Sequence, residues 1–246
     1  KIRGFYTDDL ATGFSATTDN LRAGCMDNFA YTTYDSLANF DDGNCRYILE
    51  LIDGNNFISF PGIPKAPDVT SLFNGLEDDS LISSVNFVTG MAECLFNTGE
   101  YWAGNLDEIQ SDKGYWLNVT LEEGCDAIYE WEVDLVNDRT DECHTYYLSP
   151  GNNLISYVGE ENRSISQALD IEHFNSFQFL IGSGLSAFNN SGPWTGNLQH
   201  LNKLNGYWLN IDDTYSLIEG DKYLFRWNMN TDCEAPIPDL GRNNFA

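Results

Sequence analysis

The sequence predicts an α+β fold, mainly β: two homologous small antiparallel-sheet units, each with one short helix, preceded by a small cysteine-bounded module. Three observations carry that expectation. Blocks of sequence recur in the same order in the two halves of the 246-residue chain. Apolar and polar residues alternate over short stretches, as in half-buried strands. Gly and Asn punctuate those stretches where turns are needed. The expected organisation is an N-terminal arm over 1–23, a Cys-bounded Asp-rich module over 24–45, a first repeat unit over 46–142, a second over 143–233 and a C-terminal arm over 234–246.

The repeat is read directly from the letters. Gly54-Asn55-Asn56-Phe57-Ile58-Ser59 returns as Gly151-Asn152-Asn153-Leu154-Ile155-Ser156. Trp102-Ala103-Gly104-Asn105-Leu106 returns as Trp194-Thr195-Gly196-Asn197-Leu198, and Gly114-Tyr115-Trp116-Leu117-Asn118 returns unchanged as Gly206-Tyr207-Trp208-Leu209-Asn210. Three ordered blocks at matched spacing mark a duplicated domain.

Each unit then reads as β-α-β-β-β-β. Tyr47, Leu49 and Leu51 alternate ahead of the first Asn-Asn turn, as Tyr146 and Leu148 do ahead of the second. Asp68 can cap a helix with Val69, Leu72, Phe73 and Leu76 at helical spacing; Ser164 with Ile165, Ala168 and Leu169 repeats that start. Alternation resumes at Val85 and Phe87, matched by Phe177 and Phe179. A Gly/Asn-rich turn, the Trp block, the Gly-Tyr-Trp strand and a last aromatic strand (128–133 and 224–229) complete each unit. The arms can add strands to a neighbour's sheet edge.

Charge excludes several functions. Twelve Lys and Arg stand against 38 Asp and Glu, a net charge of −26 and a pI near 4.1. A phosphate-tracking protein needs clustered cations, so no nucleic-acid partner is expected. No apolar run approaches the roughly 20 residues of a membrane-spanning helix, so no membrane insertion is expected. Acidity of this degree also suits salty water, which screens self-repulsion. The chain starts at Lys1, as a mature product or an excised segment does.

Residues 24–45 contain Gly24, Cys25, Asp27, Ala30, Tyr34, Asp35, Ala38, Asp41, Asp42, Gly43 and Cys45. That pattern resembles a short Cys-bounded repeat, GCxDxxAxNYDxxAxxDDGxC, of secreted and cell-surface proteins of marine bacteria and structural proteins of marine viruses and phages. It departs from the repeat by an inserted residue between Ala30 and Tyr34 and by Thr33 where Asn is usual. The GNNLIS…GYW units are similar to modules of extracellular multi-repeat proteins. The resemblance implies an extracellular location, on a virion or cell surface, and a structural or adhesive role without a reaction.

The six cysteines, 25, 45, 94, 125, 143 and 233, form no CxxC or zinc grouping. Disulfides are the expectation, with free thiols the alternative. Cys25 and Cys45 enclose a loop of about twenty residues whose closure is worth about 3 kcal/mol. A faint echo of the module pairs Cys125 with Cys143 and leaves Cys94 for Cys233; Cys94 with Cys125 is the rival pairing.

Candidate sites are sparse. Asp27, Asp35, Asp41, Asp42 and Asn44 gather hard oxygen donors suited to a structural Ca²⁺, or they serve as Asx-turns and caps. Trp102, Trp116, Trp194 and Trp208 either pack in their units' cores or offer sugar-stacking faces. Trp102 and Trp194, beside Gly-Asn turns, are the candidates for exposed rings. His144, His173 and His200 are scattered, and no catalytic motif surrounds them. Sequons stand at Asn118, Asn162 and Asn189. The expectation is a non-enzymatic extracellular structural or adhesive protein, part of a virion or phage appendage or a bacterial surface fibre, requiring no cofactor. Its expected partners are copies of itself, other structural proteins or a host-surface glycan. The alternative is a carbohydrate-binding surface module using exposed Trp and Tyr.

Overall fold

A computed structural model describes residues 21–26, 30, 33–42, 44–60, 70, 82–122, 127–132, 143–159, 162–169, 176–190, 193–212 and 222–228. The fold is mainly β with antiparallel sheets. Two short strands, β1 (Ala23–Gly24) and β2 (Phe40–Asp41), lie in the N-terminal module and pair in parallel. The first unit holds β3 (Arg46–Leu51), β4 (Gly54–Ser59), β5 (Ile82–Thr89), β6 (Cys94–Asn97), β7 (Trp102–Gly104), β8 (Gly114–Leu121) and β9 (Ala127–Glu132). The second holds β10 (Tyr146–Leu148), β11 (Gly151–Ser156), β12 (Arg163–Ser164), α1 (Ile165–Ala168), β13 (Phe177–Gly182), β14 (Leu185–Phe188), β15 (Thr195–Gly196), β16 (His200–Leu201), β17 (Gly206–Ile211) and β18 (Tyr223–Phe225).

The two units share one topology. Five strands run in the order β4-β8-β5-β6-β7 in the first and β11-β17-β13-β14-β15 in the second, with β3-β9 and β10-β18 as matching outer pairs. The alternation seen in the sequence sets the faces: Tyr47, Leu49 and Leu51 point inward from β3, and Tyr146 and Leu148 from β10. Ser164 opens α1, where the Gln167 Oε1 accepts from the Ser164 backbone and hydroxyl. Of the helix expected after Asp68 only Thr70 is described, and it is helical; the N-terminal arm to residue 20 and the C-terminal arm lie outside the described residues.

Each repeated motif has a local physical purpose. Gly54 and Gly151 take φ of +90° and +85° to open the Asn-Asn turns. The second Asn of each turn is buried and locks it: Asn56 Oδ1 accepts from Ile52 N and its Nδ2 donates to Ile52 O, as Asn153 does with Ser149. Gly104 and Gly196, at φ of +154° and +143°, press their backbones against the carbonyls of Cys94 and Ser186, where a Cβ has no room. Asn105 and Asn197 then accept the amides of those same residues. Tyr115 and Tyr207 are buried, and their hydroxyls accept from Gln110 N and Asn202 N at 2.8 Å.

One expectation is overturned. Val85 and Phe87 do not share a face, and neither do Phe177 and Phe179. Register shifts fall inside both pairs: Val85 faces Val119 but Phe87 faces Asn118, and Phe177 faces Ile211 but Phe179 faces Asn210. The extra residue of a bulge reverses the side on which the following residues lie. Val85 and Phe177 therefore enter the cores while Phe87 and Phe179 lie on the opposite sheet face.

The N-terminal module is fastened to the first unit. A Cys25–Cys45 disulfide closes it, and both half-cystines join Ala30, Tyr47 and Leu49 in one buried cluster. Gly24 is needed because a Cβ there lies 2.9 Å from Asp35 Cβ. Cys143 is disulfide-bonded to a residue outside the described set, so the Cys125–Cys143 expectation stays open. Cys94 corrects both pairings drawn for it: it is a free, half-buried thiol, and neither Cys94–Cys233 nor Cys94–Cys125 forms. Its backbone is held by Asn105 and Leu106, at the position Ser186 fills in the other copy.

The units meet through a reciprocal junction. Ile58 bridges Asn205 and Ile155 bridges Lys113, both antiparallel. Ser59 N donates to Leu204 O and Ser156 N to Asp112 O. Equivalent residues exchange roles, as in an isologous dimer interface. Gly114 and Gly206 sit at its centre: a Cβ on Gly206 comes 2.6 Å from Ile58 O and 3.1 Å from Gly114 Cα. Phe57 and Leu154 are buried beside them, Phe57 stacked on Trp116 at 4.4 Å. Gly206→Ala is expected to cost about 1–3 kcal/mol by overpacking against backbone, read as a lowered urea midpoint; an unchanged midpoint contradicts the tight contact.

Candidate functional site

The described carboxylates of the Asp-rich loop, Asp35 and Asp42, are engaged in turns. Asp35 accepts from Arg22 Nε at 2.7 Å and from Leu37 N at 3.0 Å. The Arg22 bond first, then the Leu37 amide, holds its carboxyl below the usual range. Asp42 accepts from the backbone and side chain of Asn44 at 3.0 Å. These are the Asx-turn geometries open to such residues. Asp27 and the Asp41 side chain lie outside the described residues. Among the described residues no group of three His, Cys, Asp or Glu is placed to hold a metal ion.

The tryptophans divide into two sets. Trp102 and Trp194 are half-buried, each packed against the core of its own unit. At that hairpin the exposed ring is Tyr101, 64% exposed. Trp116 and Trp208 lie at the junction near Phe57, at 4.4 and 6.4 Å between centroids. Of the histidines, His200 is exposed on β16, His173 lies outside the described residues, and His144 pairs with Asp112.

The sheet face opposite each core carries a row that sequence reading missed. In the first unit Asn55, Asn118, Phe87 and Phe96 stand opposite one another across β4, β8, β5 and β6. In the second, Asn152, Asn210, Phe179 and Phe188 do the same across β11, β17, β13 and β14. Asn118 Nδ2 donates to Asn55 Oδ1 at 2.6 Å, and Asn210 Nδ2 to Asn152 Oδ1 at 2.6 Å. The ring pairs sit 5.8 and 6.3 Å apart. Phe96 and Phe188 are 46% and 44% exposed. The signal was available, since Phe96 and Phe188 occur at the same offset as the Trp and Gly-Tyr-Trp blocks, but only the bulge reveals the shared face.

The junction also has two unlike flanks. On one, Ile48, Glu50, Ile52, Asn202, Leu204 and Asn205 line part of a cleft of about 420 Å³. On the other, His144 Nε2 approaches Asp112 Oδ2 at 3.5 Å, and His144 stacks edge-on to Tyr146. The His144 contact is the leading cause that holds the Asp112 carboxyl below its ordinary value, against the opposing effect of burial. Desolvation pushes the buried Tyr115 and Tyr146 hydroxyls upward, so both stay protonated at neutral pH. No family model, curated protein or solved structure matches the chain.

Two measurements check these assignments. Chelation tests the Asp-rich loop: carboxylates that serve only as turns leave the melting midpoint in place, and a fall on chelation gives the loop to calcium. For Asp112, a lowered folded pKa adds stability above the unfolded value near 3.8, and that stability disappears as pH falls through the folded value. The stability gap between the parent protein and Asp112→Asn is therefore expected to close below about pH 4, and a pH-independent gap overturns the pairing.

Proposed function

We propose that the protein is a non-enzymatic structural or adhesive component displayed outside the cell, in a virion or phage appendage or a bacterial surface fibre. It holds to other copies, to other structural proteins or to a host surface. The observation that carries this reading is the reciprocal junction, where backbone bonds from each unit complete the other. Such a contact fuses two small sheets into one stiff body, and stiffness with duplicated faces serves spacing and attachment.

Further support comes from the covalent and electrostatic character of the chain. Disulfides at Cys25–Cys45 and at Cys143 are compatible with an oxidising extracellular setting. No helix among the described residues is long and apolar enough to cross a membrane. A charge of −26 keeps separate chains from sticking indiscriminately. Immunogold electron microscopy of native particles and cell surfaces tests the proposal: label on virions, appendages or fibres is expected, and label confined to the cell interior overturns it.

A further inference from the structure

We propose that the two outer rows, Asn55–Asn118–Phe87–Phe96 and Asn152–Asn210–Phe179–Phe188, are equivalent docking faces for a neutral glycan. The assignment rests on the adhesive reading above and names its ligand class.

Retention between the copies is the first support. Core positions stay alike because packing demands it, and turn positions because backbone geometry does. Phe96 and Phe188, 46% and 44% exposed, obey neither constraint. Around them the surface has changed freely: Tyr101 corresponds to Pro193, Ala103 to Thr195 and Thr120 to Asp212. Four positions across four strands have kept both their identity and their pairing partners in both units. Large exposed rings raise the risk of nonspecific association, so their retention on an otherwise acidic surface marks a contact face.

The chemistry of the row selects the ligand. Strands about 4.8 Å apart make it roughly 14 Å long, with two rings at one end and two amides at the other. A pyranose has an apolar C–H face that lies on an aromatic ring and hydroxyls at its rim that bond to amides. Each inner amide already donates to its neighbour, Asn118 to Asn55 and Asn210 to Asn152, which turns the exposed Asn55 and Asn152 amide donors toward a ligand. Such ordered pairs lose little freedom on binding. Charge decides between occupants. At −26 the chain repels sulfated and uronic-acid polymers, whereas a neutral glycan carries no such penalty.

The test is an array of neutral glucan, mannan, galactan and xylan oligosaccharides beside sulfated and uronic-acid ones. It uses the full chain made without N-glycosylation, because Asn118 heads a sequon. Binding to neutral oligosaccharides is expected. Phe96→Ala and Phe188→Ala should each remove one of two ligand equivalents in a calorimetric titration. The double variant should weaken array binding by about tenfold or more, with its circular dichroism and melting midpoint unmoved. Binding that survives the double variant, preference for acidic glycans, or a blank array overturns the assignment. So does a self-association seen in sedimentation that the double variant abolishes, which gives the rows to a second copy. A blank array with labelled particles defeats the glycan assignment alone; a positive array with label only inside cells defeats the location alone.

Discussion

Two glycines meeting without side chains between them hold this molecule in its shape. Gly114 and Gly206 let the Gly-Tyr-Trp strands of the two units approach to backbone distance. From that approach follow the Ile58–Asn205 and Ile155–Lys113 bridges, and with them the bonds from Ser59 and Ser156 to the opposite unit. Phe57 and Leu154 are buried there, beside neither unit's main core but between the units. A larger residue at either glycine pushes on a carbonyl or a glycine Cα, both of which belong to paired strands and cannot move alone.

The duplication and its strands could be read from the letters because period-two alternation and Gly/Asn turns are local signals. Tyr47, Leu49 and Leu51 declare their inward face within six residues, and Gly54-Asn55-Asn56 declares its turn within three. The Cys25–Cys45 closure was legible for the same reason, as a short loop with matched ends. What could not be read depends on a residue count that alternation cannot see. The bulges between Val85 and Phe87 and between Phe177 and Phe179 each shift the register, so one member of each pair goes inside and the other outside. Cys94 was misassigned through parity: six cysteines suggest three bridges, but a strand position held by Asn105 and Leu106 fixes the thiol where no bridge forms. The junction itself carries no local pattern beyond two glycines, which also suit turns.

The units are twins in sheet order, and among the described residues their cores draw on different neighbouring segments. The first core takes in Cys25, Ala30 and Cys45 from the N-terminal module, which is too small to bury a core alone. The second takes in Ile165, Ala168 and Leu169 around α1, together with Tyr157 and Trp227, whose rings meet edge to face at 5.1 Å. The junction inherits this inequality. Where one flank sets Leu204 against the first core, the other sets Asp112 beside His144. An apolar contact holds regardless of pH, whereas the charged one follows the carboxylate. Reciprocal backbone bonds therefore supply the symmetry, and side chains supply the difference between the flanks.

Duplication also supplies an internal control for separating structural from functional constraint. Two copies of one sheet, folded in one chain, face the same packing problem, so agreement at Tyr115 and Tyr207 or at Asn56 and Asn153 needs no function to explain it. Agreement at an exposed position that holds neither a turn nor a backbone amide has no such explanation. Ala103 and Thr195 stand opposite Phe96 and Phe188 on the neighbouring strands yet differ, so the scaffold does not dictate what stands on that face. Phe96 and Phe188 are equally open to water and remain the same residue opposite the same phenylalanine. Packing cannot maintain a side chain that is nearly half in solvent, and neither turn geometry nor the junction touches it. A constraint from outside the molecule is what remains, acting alike on both copies, and the proposed glycan contact is one that would impose it.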